Sequence, residues 1–280
     1  MKVVVTGATG NVGREVVAHC AGRGDEILAL SHAQLDISDQ DSLAAFGKSE
    51  KWDVLINCAA WTDVDGCELD PQRAFAANAK GVENLANACR EVGAHLVTIS
   101  TDFVFDGEND GFYTQDDPAH PINEYGRSKL EGEQLAIAGY ERTTVVRAGW
   151  IFGSNGTNFI SRVDERLAAG DSVNAIADRF GTPTYARDLA VRLRELAVLD
   201  RPAIYHVANA GDGTSYAGFA RAVAKDARLV NEVSGDSLNR PAPRPRNTRL
   251  RCLLSEAAGL APLRHWEDAV RDHLNRKRQL

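Results

Sequence analysis

Short runs of apolar, often β-branched residues alternate along much of the chain with longer stretches of helical periodicity. Near-continuous apolar runs are typical of parallel strands that are covered on both faces. The pattern therefore predicts a doubly wound α/β fold built on a central parallel sheet. The predicted strands of this sheet are residues 2–5, 26–30, 53–57, 95–99, 172–178 and 203–207.

A glycine-rich turn follows the first predicted strand and leads into a helix. Its spacing is Gly-x-x-Gly-x-x-Gly. Glycine allows a tight turn in which backbone N–H groups approach a pyrophosphate, and the helix N-terminus adds favourable partial charge. Because the glycines lie between a strand and a helix, they predict Rossmann-type dinucleotide binding. The candidate cofactor-binding residues of this turn are Gly7, Thr9, Gly10, Asn11, Val12 and Gly13.

The end of the second strand bears on which dinucleotide is bound. In NAD-preferring folds an acidic residue near this point binds the ribose 2′-hydroxyl. Here the strand ends in Ser31 and His32, and the nearest acid is Asp36, which could instead cap the next helix. The missing carboxylate leaves room for a 2′-phosphate, so the sequence favours NADPH, with NADH as the alternative. The candidate cofactor-binding residues of the loops after the second and third strands are Ser31, His32, Asp36, Ile37, Ala59 and Ala60.

Candidate chemistry lies in a tyrosine–lysine pair. Tyr125 and Lys129 are four residues apart, which places them on one face of a predicted helix, although this spacing also arises by chance. An ammonium beside a phenol favours the phenolate, so we expect Lys129 to lower the Tyr125 pKa from about 10. Such a tyrosine can exchange a proton with a carbonyl oxygen. Thr101 follows the fourth strand, at the edge where ligands bind in open α/β sheets. The candidate catalytic residues are Thr101, Tyr125 and Lys129.

The rest of the chain predicts a smaller domain assembled from separated pieces. The strands predicted at 172–178 and 203–207 are expected to return to the main sheet. The predicted dinucleotide-binding domain is residues 1–150 plus roughly 172–208, and the predicted substrate-binding domain is roughly residues 151–171 and 209–280.

Six blocks of residues, in order along nearly the whole chain, carry a family resemblance. Two of them are Ser-Thr-Asp-Phe-Val-Phe-Asp-Gly at 100–107 and Tyr-Gly-Arg-Ser-Lys-Leu-Glu-Gly-Glu at 125–133. The chain resembles the dTDP-4-dehydrorhamnose reductase family of the extended short-chain dehydrogenases/reductases. The other blocks are residues 57–65, 147–153, 178–184 and 240–250.

The resemblance implies an enzyme that reduces the C4 keto group of a dTDP-4-dehydro-6-deoxyhexose, above all dTDP-4-dehydro-L-rhamnose to dTDP-L-rhamnose. Thr101 would hold the substrate carbonyl beside Tyr125, which would donate the proton. Lys129 would bind the nicotinamide ribose and lower the Tyr125 pKa. The substrate-binding residues that the resemblance implies are Thr62, Val64, Thr101, Phe103, Trp150 and Asn158.

Five arginines lie among prolines near the end of the chain. Prolines suppress regular structure, so this segment is predicted to be extended. Arginine matches a diphosphate in geometry as well as charge, which favours contact with the diphosphate of a nucleotide sugar over a solvated basic loop. The arginines are Arg240, Arg244, Arg246, Arg249 and Arg251.

Two other functions fit the same sequence. One is a ketoreductase for another nucleotide deoxysugar, because neither Trp150 nor the arginines fix the stereochemistry at C4. The other is a non-catalytic regulatory subunit, since the beta subunit of methionine adenosyltransferase resembles the same family. The intact Tyr125 and Lys129 favour an enzyme.

Composition narrows the partners and the setting. The net charge of −7 argues against a nucleic-acid-binding protein. No apolar run approaches about 18 residues, so no membrane span is predicted. The five cysteines are scattered, without a Cys-x-x-Cys pair, and favour a reducing, cytoplasmic setting.

The resemblance also bears on assembly. It implies a homodimer with a Mg²⁺ ion at its interface as one arrangement. No cluster of carboxylates in the sequence assigns such an ion, so no metal ligand is predicted.

Overall fold

The computed structural model describes residues 1–49 and 51–279. Its strands are, in chain order, β1 (Lys2–Thr6), β2 (Glu26–Leu30), β3 (Val54–Asn57), β4 (His95–Thr101), β5 (Thr143–Ala148), β6 (Ile151–Phe152), β7 (Val173–Ile176), β8 (Phe180–Gly181), β9 (Thr184–Tyr185), β10 (Ile204–His206), β11 (Thr214–Ser215) and β12 (Val230–Val233). Its α-helices are α1 (Asn11–Gly22), α2 (Gln40–Ser49), α3 (Val64–Leu69), α4 (Pro71–Phe75), α5 (Gly81–Val92), α6 (Glu124–Gly139), α7 (Phe159–Ala168), α8 (Ala186–Leu199), α9 (Tyr216–Val223), α10 (Leu254–Ala257) and α11 (Trp266–Lys277). A π-helical turn, Ala76–Lys80, joins α4 to α5.

Six parallel strands form the central sheet, in the order β10-β5-β4-β3-β1-β2. Successive side chains of β1 point to opposite faces, as strand geometry requires. Val3 and Val5 pack with α1 and α8 on one face, whereas Val4 packs with α5 and α6 on the other. Helices therefore cover both faces, and the predicted doubly wound parallel sheet is confirmed.

One predicted strand of the main sheet lies elsewhere. Residues 173–176 form β7, which pairs in parallel with β12 in a separate two-stranded sheet. In the main sheet, β5 lies between β4 and β10, whereas all four residues of β7 pair with β12. The placement of residues 172–178 in the main sheet is therefore wrong. The division of the chain into two domains stays a prediction.

A second core lies between β7, α7, α9 and α11. It includes Phe152, Val173, Phe219 and Trp266, which pack together away from the central sheet. The arginine segment 240–251 forms neither a helix nor a regular strand, as predicted. It is held by isolated bridges, such as the one between Leu250 and Tyr113. This segment therefore connects the second core to the loops at the carboxyl edge of the sheet.

Candidate active site

The turn between β1 and α1 forms a close backbone cradle. Gly7 has a φ of +64°, and a Cβ there would lie 2.7 Å from the Ala59 nitrogen. A Cβ on Gly13 would lie 2.2 Å from the Gly7 oxygen. Gly10 precedes α1 in an extended conformation and provides no side-chain cap, so the first N–H groups of the helix stay uncapped by side chains. This arrangement has the shape and the helix N-terminus that a pyrophosphate requires.

The other candidate residues of the cradle differ in exposure. Thr9 is exposed at the tip of the turn, whereas Val12 packs against the core beneath the sheet. The Asn11 Oδ1 atom is buried and has no hydrogen-bond partner among the described residues. It lies beside Gly153, where a Cβ would approach it to 2.6 Å. Ile37 is buried in the core on the opposite face of the sheet.

The loop after β2 uses its polar groups internally. The Ser31 hydroxyl donates to Gln34 Oε1 at 2.7 Å, and His32 is exposed. The Asp36 carboxylate accepts hydrogen bonds from the hydroxyl and the N–H of Ser38, at 2.7 and 2.9 Å. These bonds, above all the one from the hydroxyl, lower the Asp36 pKa. Asp36 is thus an anion that is already engaged within its own loop.

Asn78, a residue of the π-helical turn, holds the loop after β3 against α6, the helix that contains Tyr125 and Lys129. Ala59 and Ala60 lie at the start of this loop, directly before Trp61. The Trp61 N–H donates to Asn78 Oδ1 at 2.8 Å, and Asn78 Nδ2 donates back to the Trp61 oxygen at 3.0 Å. Asn78 Nδ2 also donates to Ser128 Oγ at 3.1 Å, which links the loop to α6.

The structure brings two of the predicted catalytic side chains into direct contact. Thr101 is the last residue of β4, and Tyr125 lies in the first turn of α6, which Asn123 caps. The Thr101 hydroxyl lies close enough to the Tyr125 phenol to lower its pKa, although it donates its own hydrogen bond to Asp102 Oδ1. The Phe103 ring meets the Tyr125 ring edge-on, with centroids 6.0 Å apart. A proton donor therefore lies at the carboxyl edge of the sheet, as predicted.

The predicted direction of the Tyr125 pKa shift is wrong. Burial raises the Tyr125 pKa, because the phenolate would lose its water, and the nearby Thr101 hydroxyl only partly opposes this. The Lys129 ammonium instead donates to the Ile99 oxygen at 2.7 Å. Burial also lowers the Lys129 pKa, to about 8. Spacing along a helix showed that the two side chains share a face, but desolvation of both charged forms decides the pKa values.

Asp102 is an ionisable group of this site that sequence reasoning missed. It is 3% exposed, and its Oδ1 atom accepts a hydrogen bond from the Thr101 hydroxyl at 3.1 Å. Its Oδ2 atom has no partner in the part of the chain that the structure describes. Burial raises its pKa to about 6, against hydrogen bonds from Thr248 and Thr101. In the sequence, only its position directly after Thr101 indicated that Asp102 belongs to this site.

A cavity of about 230 Å³ is lined by Phe103, whereas Thr101 and Tyr125 are not part of its wall. Phe103, Trp150, Tyr216 and Arg240 are part of its wall. Trp150 has a left-handed backbone, with φ of 49°, and stacks on Tyr216 with ring centroids 3.9 Å apart. A Cβ on Gly181 would lie 2.1 Å from the indole nitrogen, so only glycine leaves room for the ring. Strained backbone persists where its surroundings hold it and is common at functional sites, which makes this wall a candidate sugar-binding surface.

Besides Thr101, three predicted substrate-binding residues are not part of the cavity wall formed by the described residues. Thr62 is exposed, and Val64 is the first residue of α3. Asn158 caps α7, where its Oδ1 accepts from the Ser161 N–H at 3.0 Å and its Nδ2 donates to the Ile151 oxygen at 2.9 Å. Substrate-binding roles for these three residues stay predictions.

Comparison with known proteins places this geometry in a family. A family model described as RmlD substrate binding domain matches residues 1–279. A dTDP-4-dehydrorhamnose reductase from Mycolicibacterium smegmatis is 43% identical over 281 residues, which cover 97% of this chain and 84% of that protein. The chain belongs to the dTDP-4-dehydrorhamnose reductase family. The family that the sequence resembles is thereby confirmed.

Other members and neighbours of this reductase family extend the comparison. A dTDP-4-keto-6-deoxy-D-glucose reductase from Streptomyces niveus is 34% identical, over 95% of this chain and 94% of that protein. The crystal structure of dTDP-4-dehydrorhamnose reductase from Bacillus anthracis in complex with NADP has a TM-score of 0.93. It is 30% identical and covers 98% of this chain and 99% of that chain. The central sheet and the second core thus follow a fold already seen in this reductase family.

One arginine of the late segment, Arg244, binds Asp65 near the start of α3. Arg244 Nη1 lies 2.5 Å from Asp65 Oδ1, and Nη2 lies 3.0 Å from Oδ2. The Asp65 Oδ1 atom also accepts from the Ala242 N–H at 3.1 Å. The hydrogen bond with Arg244 lowers the Asp65 pKa. Arg244 is therefore already neutralised within the protein.

The remaining arginines of the segment divide into two groups. Arg249 and Arg251 lie over the Phe112 ring, with guanidinium carbons 5.4 and 4.1 Å from its centroid. Among residues 1–49 and 51–279, the guanidinium groups of Arg240 and Arg246 have no hydrogen-bond or ion-pair partner. Of these two, Arg240 lines the cavity. Arg240 is thus the arginine best placed to meet an anion there.

The described part of the chain contains no group of three His, Cys, Asp or Glu residues that could hold a metal ion. His206 is packed in the core, with Nδ1 3.1 Å from the oxygens of Tyr113 and Arg251. In the same part of the chain, no helix is both long enough and apolar enough to cross a membrane. The homodimer and its Mg²⁺ ion stay predictions.

Proposed function

We propose that this protein uses NADPH to reduce the C4 keto group of dTDP-4-dehydro-L-rhamnose, forming dTDP-L-rhamnose. The observation that carries the proposal is the placement of Thr101 and Tyr125 together at the carboxyl edge of the sheet, where the Phe103 ring contacts Tyr125 and also lines the Trp150 cavity. A general acid must lie within hydrogen-bond reach of the oxygen that it protonates. The names of the relatives supply the class of sugar.

The glycine cradle fits a dinucleotide, because a Cβ at Gly7 or Gly13 would fill it. The residues of the cradle would hold the pyrophosphate, and Lys129 would hold the nicotinamide ribose. When bound, the nicotinamide supplies the hydride. NADPH is favoured over NADH because Asp36 is engaged with Ser38 and no other carboxylate follows β2 directly.

Tyr125 donates the proton to the substrate oxygen. Its raised pKa keeps the phenol protonated at neutral pH, which is the form that a proton donor needs. The Thr101 hydroxyl, which contacts both Tyr125 and Asp102, orients the carbonyl oxygen. The Lys129 ammonium stabilises negative charge that remains on Tyr125 after the transfer, because opposite charges on one helix face attract.

The cavity fits a nucleotide sugar in shape and charge. The stacked rings of Trp150 and Tyr216 offer a flat apolar wall for the sugar, and Phe103 closes the side next to Tyr125. The unpaired guanidinium of Arg240 is available for the diphosphate, which arginine binds through two parallel hydrogen bonds. The substrate would thus lie between the arginine segment and the catalytic helix.

A second function is reduction of another dTDP-4-keto-6-deoxy sugar. It is favoured by the 34% identical relative from Streptomyces niveus. The side chains described above hold the ring but do not determine which face receives the hydride. NMR of the product would separate the two functions, because they differ in configuration at the reduced and neighbouring carbons.

The decisive experiment is a coupled assay. Purified protein is incubated with dTDP-4-keto-6-deoxyglucose and a 3,5-epimerase, with NADPH or NADH in parallel. We expect oxidation of NADPH, a slower reaction with NADH, and dTDP-L-rhamnose as the product. If no cofactor is oxidised while the protein binds a methionine adenosyltransferase, the regulatory function would replace this proposal.

Replacing Tyr125 with Phe tests the proton donor. We expect Tyr125→Phe to reduce kcat about 10²–10⁴-fold, the usual contribution of general acid catalysis, with little change in the Kd of NADPH. The matched control is Tyr205→Phe, since the Tyr205 hydroxyl donates to the Arg201 oxygen outside the cavity. Steady-state kinetics and a fluorescence titration with NADPH check both variants. Normal turnover of Tyr125→Phe would remove this residue from the reaction.

A further inference from the structure

A row of three buried charged side chains lies behind the catalytic tyrosine. Lys129 and Glu133 are four residues apart on α6 and therefore share one helix face. Arg147 projects from β5 toward them. The three residues are 4%, 3% and 5% exposed, so none of their charges is well solvated. Charged groups this deeply buried require partners.

Glu133 and Arg147 form a two-pronged ion pair. Arg147 Nε lies 3.0 Å from Oε1 and 3.2 Å from Oε2 of Glu133, and Nη2 lies 2.7 Å from Oε2. The guanidinium carbon also lies 5.2 Å from the centroid of the Phe105 ring. These contacts fix the Glu133 carboxylate one helical turn from Lys129, on the side away from Tyr125.

Lys129 has a different anchor. Its Nζ donates to the Ile99 oxygen near the end of β4, and no ion pair with Glu133 forms within 4 Å among the described residues. Glu133 therefore acts on Lys129 through its charge and not through a direct hydrogen bond. Burial lowers the Lys129 pKa to about 8, and the negative charge of Glu133 is the main opposing influence.

We propose that Glu133 and Arg147 are positioning residues that act through Lys129: the carboxylate that Arg147 fixes keeps the Lys129 ammonium positively charged during carbonyl reduction. Glu133 favours the ammonium, whereas Arg147 limits that effect because it binds the same carboxylate. The kinetic part of this inference rests on the proposed function, but the charge state of Lys129 does not.

Of the other ionisable groups around this row, Asp102 beside Tyr125 is charged near pH 7, with a pKa of about 6, whereas the following groups are neutral. Burial raises the Cys67 pKa to about 11 and also raises the pKa of Tyr125. On the far side of Arg147, burial and, secondly, the charge of Arg147 lower the His206 pKa to about 4. Glu133 is thus the charged group that acts on Lys129, and Arg147 is its ion-pair partner.

Substitutions at the two ends of the ion pair should have opposite effects. Glu133→Gln leaves two buried cations without an anion, and since arginine keeps its proton, the Lys129 pKa should fall by about one unit or more. Arg147→Met frees the carboxylate, so the Lys129 pKa should rise by a similar amount. A purely structural ion pair would give the same loss of stability in both variants and no such opposition.

The direct test is an NMR titration of lysine Cε signals in ¹³C-labelled protein, with Lys129→Arg to assign the signal. We expect the Lys129 midpoint to move down in Glu133→Gln and up in Arg147→Met. Glu131→Gln is the control, because Glu131 is exposed on the same helix, and it should leave the midpoint unchanged. Midpoints that do not move, or that move in the same direction, would overturn the proposal.

The double variant Glu133→Gln/Arg147→Met covers the case in which a single variant does not fold. It removes both charges of the ion pair together, so that Arg147 is not left as a buried cation without its anion, and neutral replacement of a buried ion pair is often tolerated. We expect its Lys129 midpoint to fall by less than in Glu133→Gln. An unchanged or raised midpoint in the double variant would also overturn the proposal.

Kinetics supply the second readout. The alkaline decline of kcat/KM should move to lower pH in Glu133→Gln and to higher pH in Arg147→Met. Each unit by which the Lys129 pKa changes should move this decline by about one pH unit, which is a tenfold change in proton concentration. If the NMR midpoints shift but neither the wild-type protein nor any variant reduces the sugar, the proposed function fails, whereas the roles of Glu133 and Arg147 toward Lys129 are supported. If turnover is normal and the midpoints do not shift, the positioning fails and the proposed function stands.

Discussion

Burial of ionisable side chains governs the chemistry of the site at the scale of single residues. Tyr125 and Asp102 both have raised pKa values because their charged forms lose water. Lys129 has a lowered pKa for the same reason. A protonated phenol next to a marginally charged ammonium suits a site that donates a proton near neutral pH.

The buried Asp102 carboxylate, one oxygen of which has no hydrogen-bond partner among the described residues, should lower the free energy of unfolding. Its pKa of about 6 in the folded protein lies above the usual 3.8, so the penalty is absent below about pH 4 and complete above about pH 6. We expect Asp102→Asn to raise the free energy of unfolding by on the order of 2 kcal/mol at pH 7.5, with the gain vanishing toward pH 4. Urea denaturation at both pH values measures this. An equal effect at the two pH values would contradict the explanation.

The same variant should be less active. The carboxylate accepts a hydrogen bond from the Thr101 hydroxyl, and an amide at this position can turn its nitrogen toward that hydroxyl. Asp110→Asn, at an exposed position, is the control and should change neither stability nor turnover. A loss of stability in Asp102→Asn at pH 7.5 would indicate that the orphan oxygen has a partner in solution.

Short-range backbone geometry assembles the site at the scale of elements. The β1–α1 turn needs glycine because its backbone touches the loop after β3. The catalytic helix α6 begins at Asn123, whose Oδ1 accepts from the Gly126 N–H at 2.8 Å and whose Nδ2 donates to the Pro243 oxygen at 2.9 Å. One residue thus caps the helix and anchors the arginine segment.

Two glycines of the first βα unit provide a matched test. Gly7→Ala places a Cβ 2.7 Å from backbone at a φ of +64°, so we expect NADPH binding to weaken at least about tenfold and the protein to lose stability. Gly22 has open space around it, and Gly22→Ala should be neutral or stabilising by about 0.5–1 kcal/mol. A fluorescence titration and thermal melts distinguish the two. Equal NADPH affinity in both variants would show that the cradle does not bind the cofactor.

Contacts between distant parts of the chain form the substrate cavity at the scale of the whole molecule. The arginine segment returns from the second core and is held to the loop after β3 by Arg244 and Asp65. Trp150 and Tyr216, which stack in the cavity wall, are 66 positions apart by their residue numbers. The cofactor cradle, by contrast, is mostly local in sequence.

The Asp65–Arg244 ion pair should therefore affect the sugar and not the dinucleotide. We expect Asp65→Asn to raise the KM for the nucleotide sugar about 3- to 10-fold, as for loss of one charged hydrogen bond, with an unchanged Kd for NADPH. Because the Asp65 pKa is lowered, the pair is present at neutral pH and is lost as the pH falls below the usual carboxyl range. Asp226→Asn, which removes an exposed pair with Arg228, is the control. Equal weakening of both ligands would place the effect in general stability.

By itself, the sequence determined the features that depend on local spacing. The alternation of strands and helices, the glycine turn and the shared face of Tyr125 and Lys129 all follow from the periodicity of neighbouring residues and the freedom of glycine. Each is present in the structure, because burial of an apolar strand or a positive φ leaves few other local arrangements.

Only the tertiary structure decided the features that depend on partners far along the chain. The residues of β7 suit a strand in either sheet, and its pairing with β12, more than 50 positions further along the chain, places it in the smaller one. The five clustered arginines look alike in sequence, but contacts with Asp65 and Phe112 leave Arg240 as the unpaired cation in the cavity wall of the described chain. The direction of the Tyr125 pKa shift depends on how much water the fold removes, and spacing along one helix contains no information on desolvation.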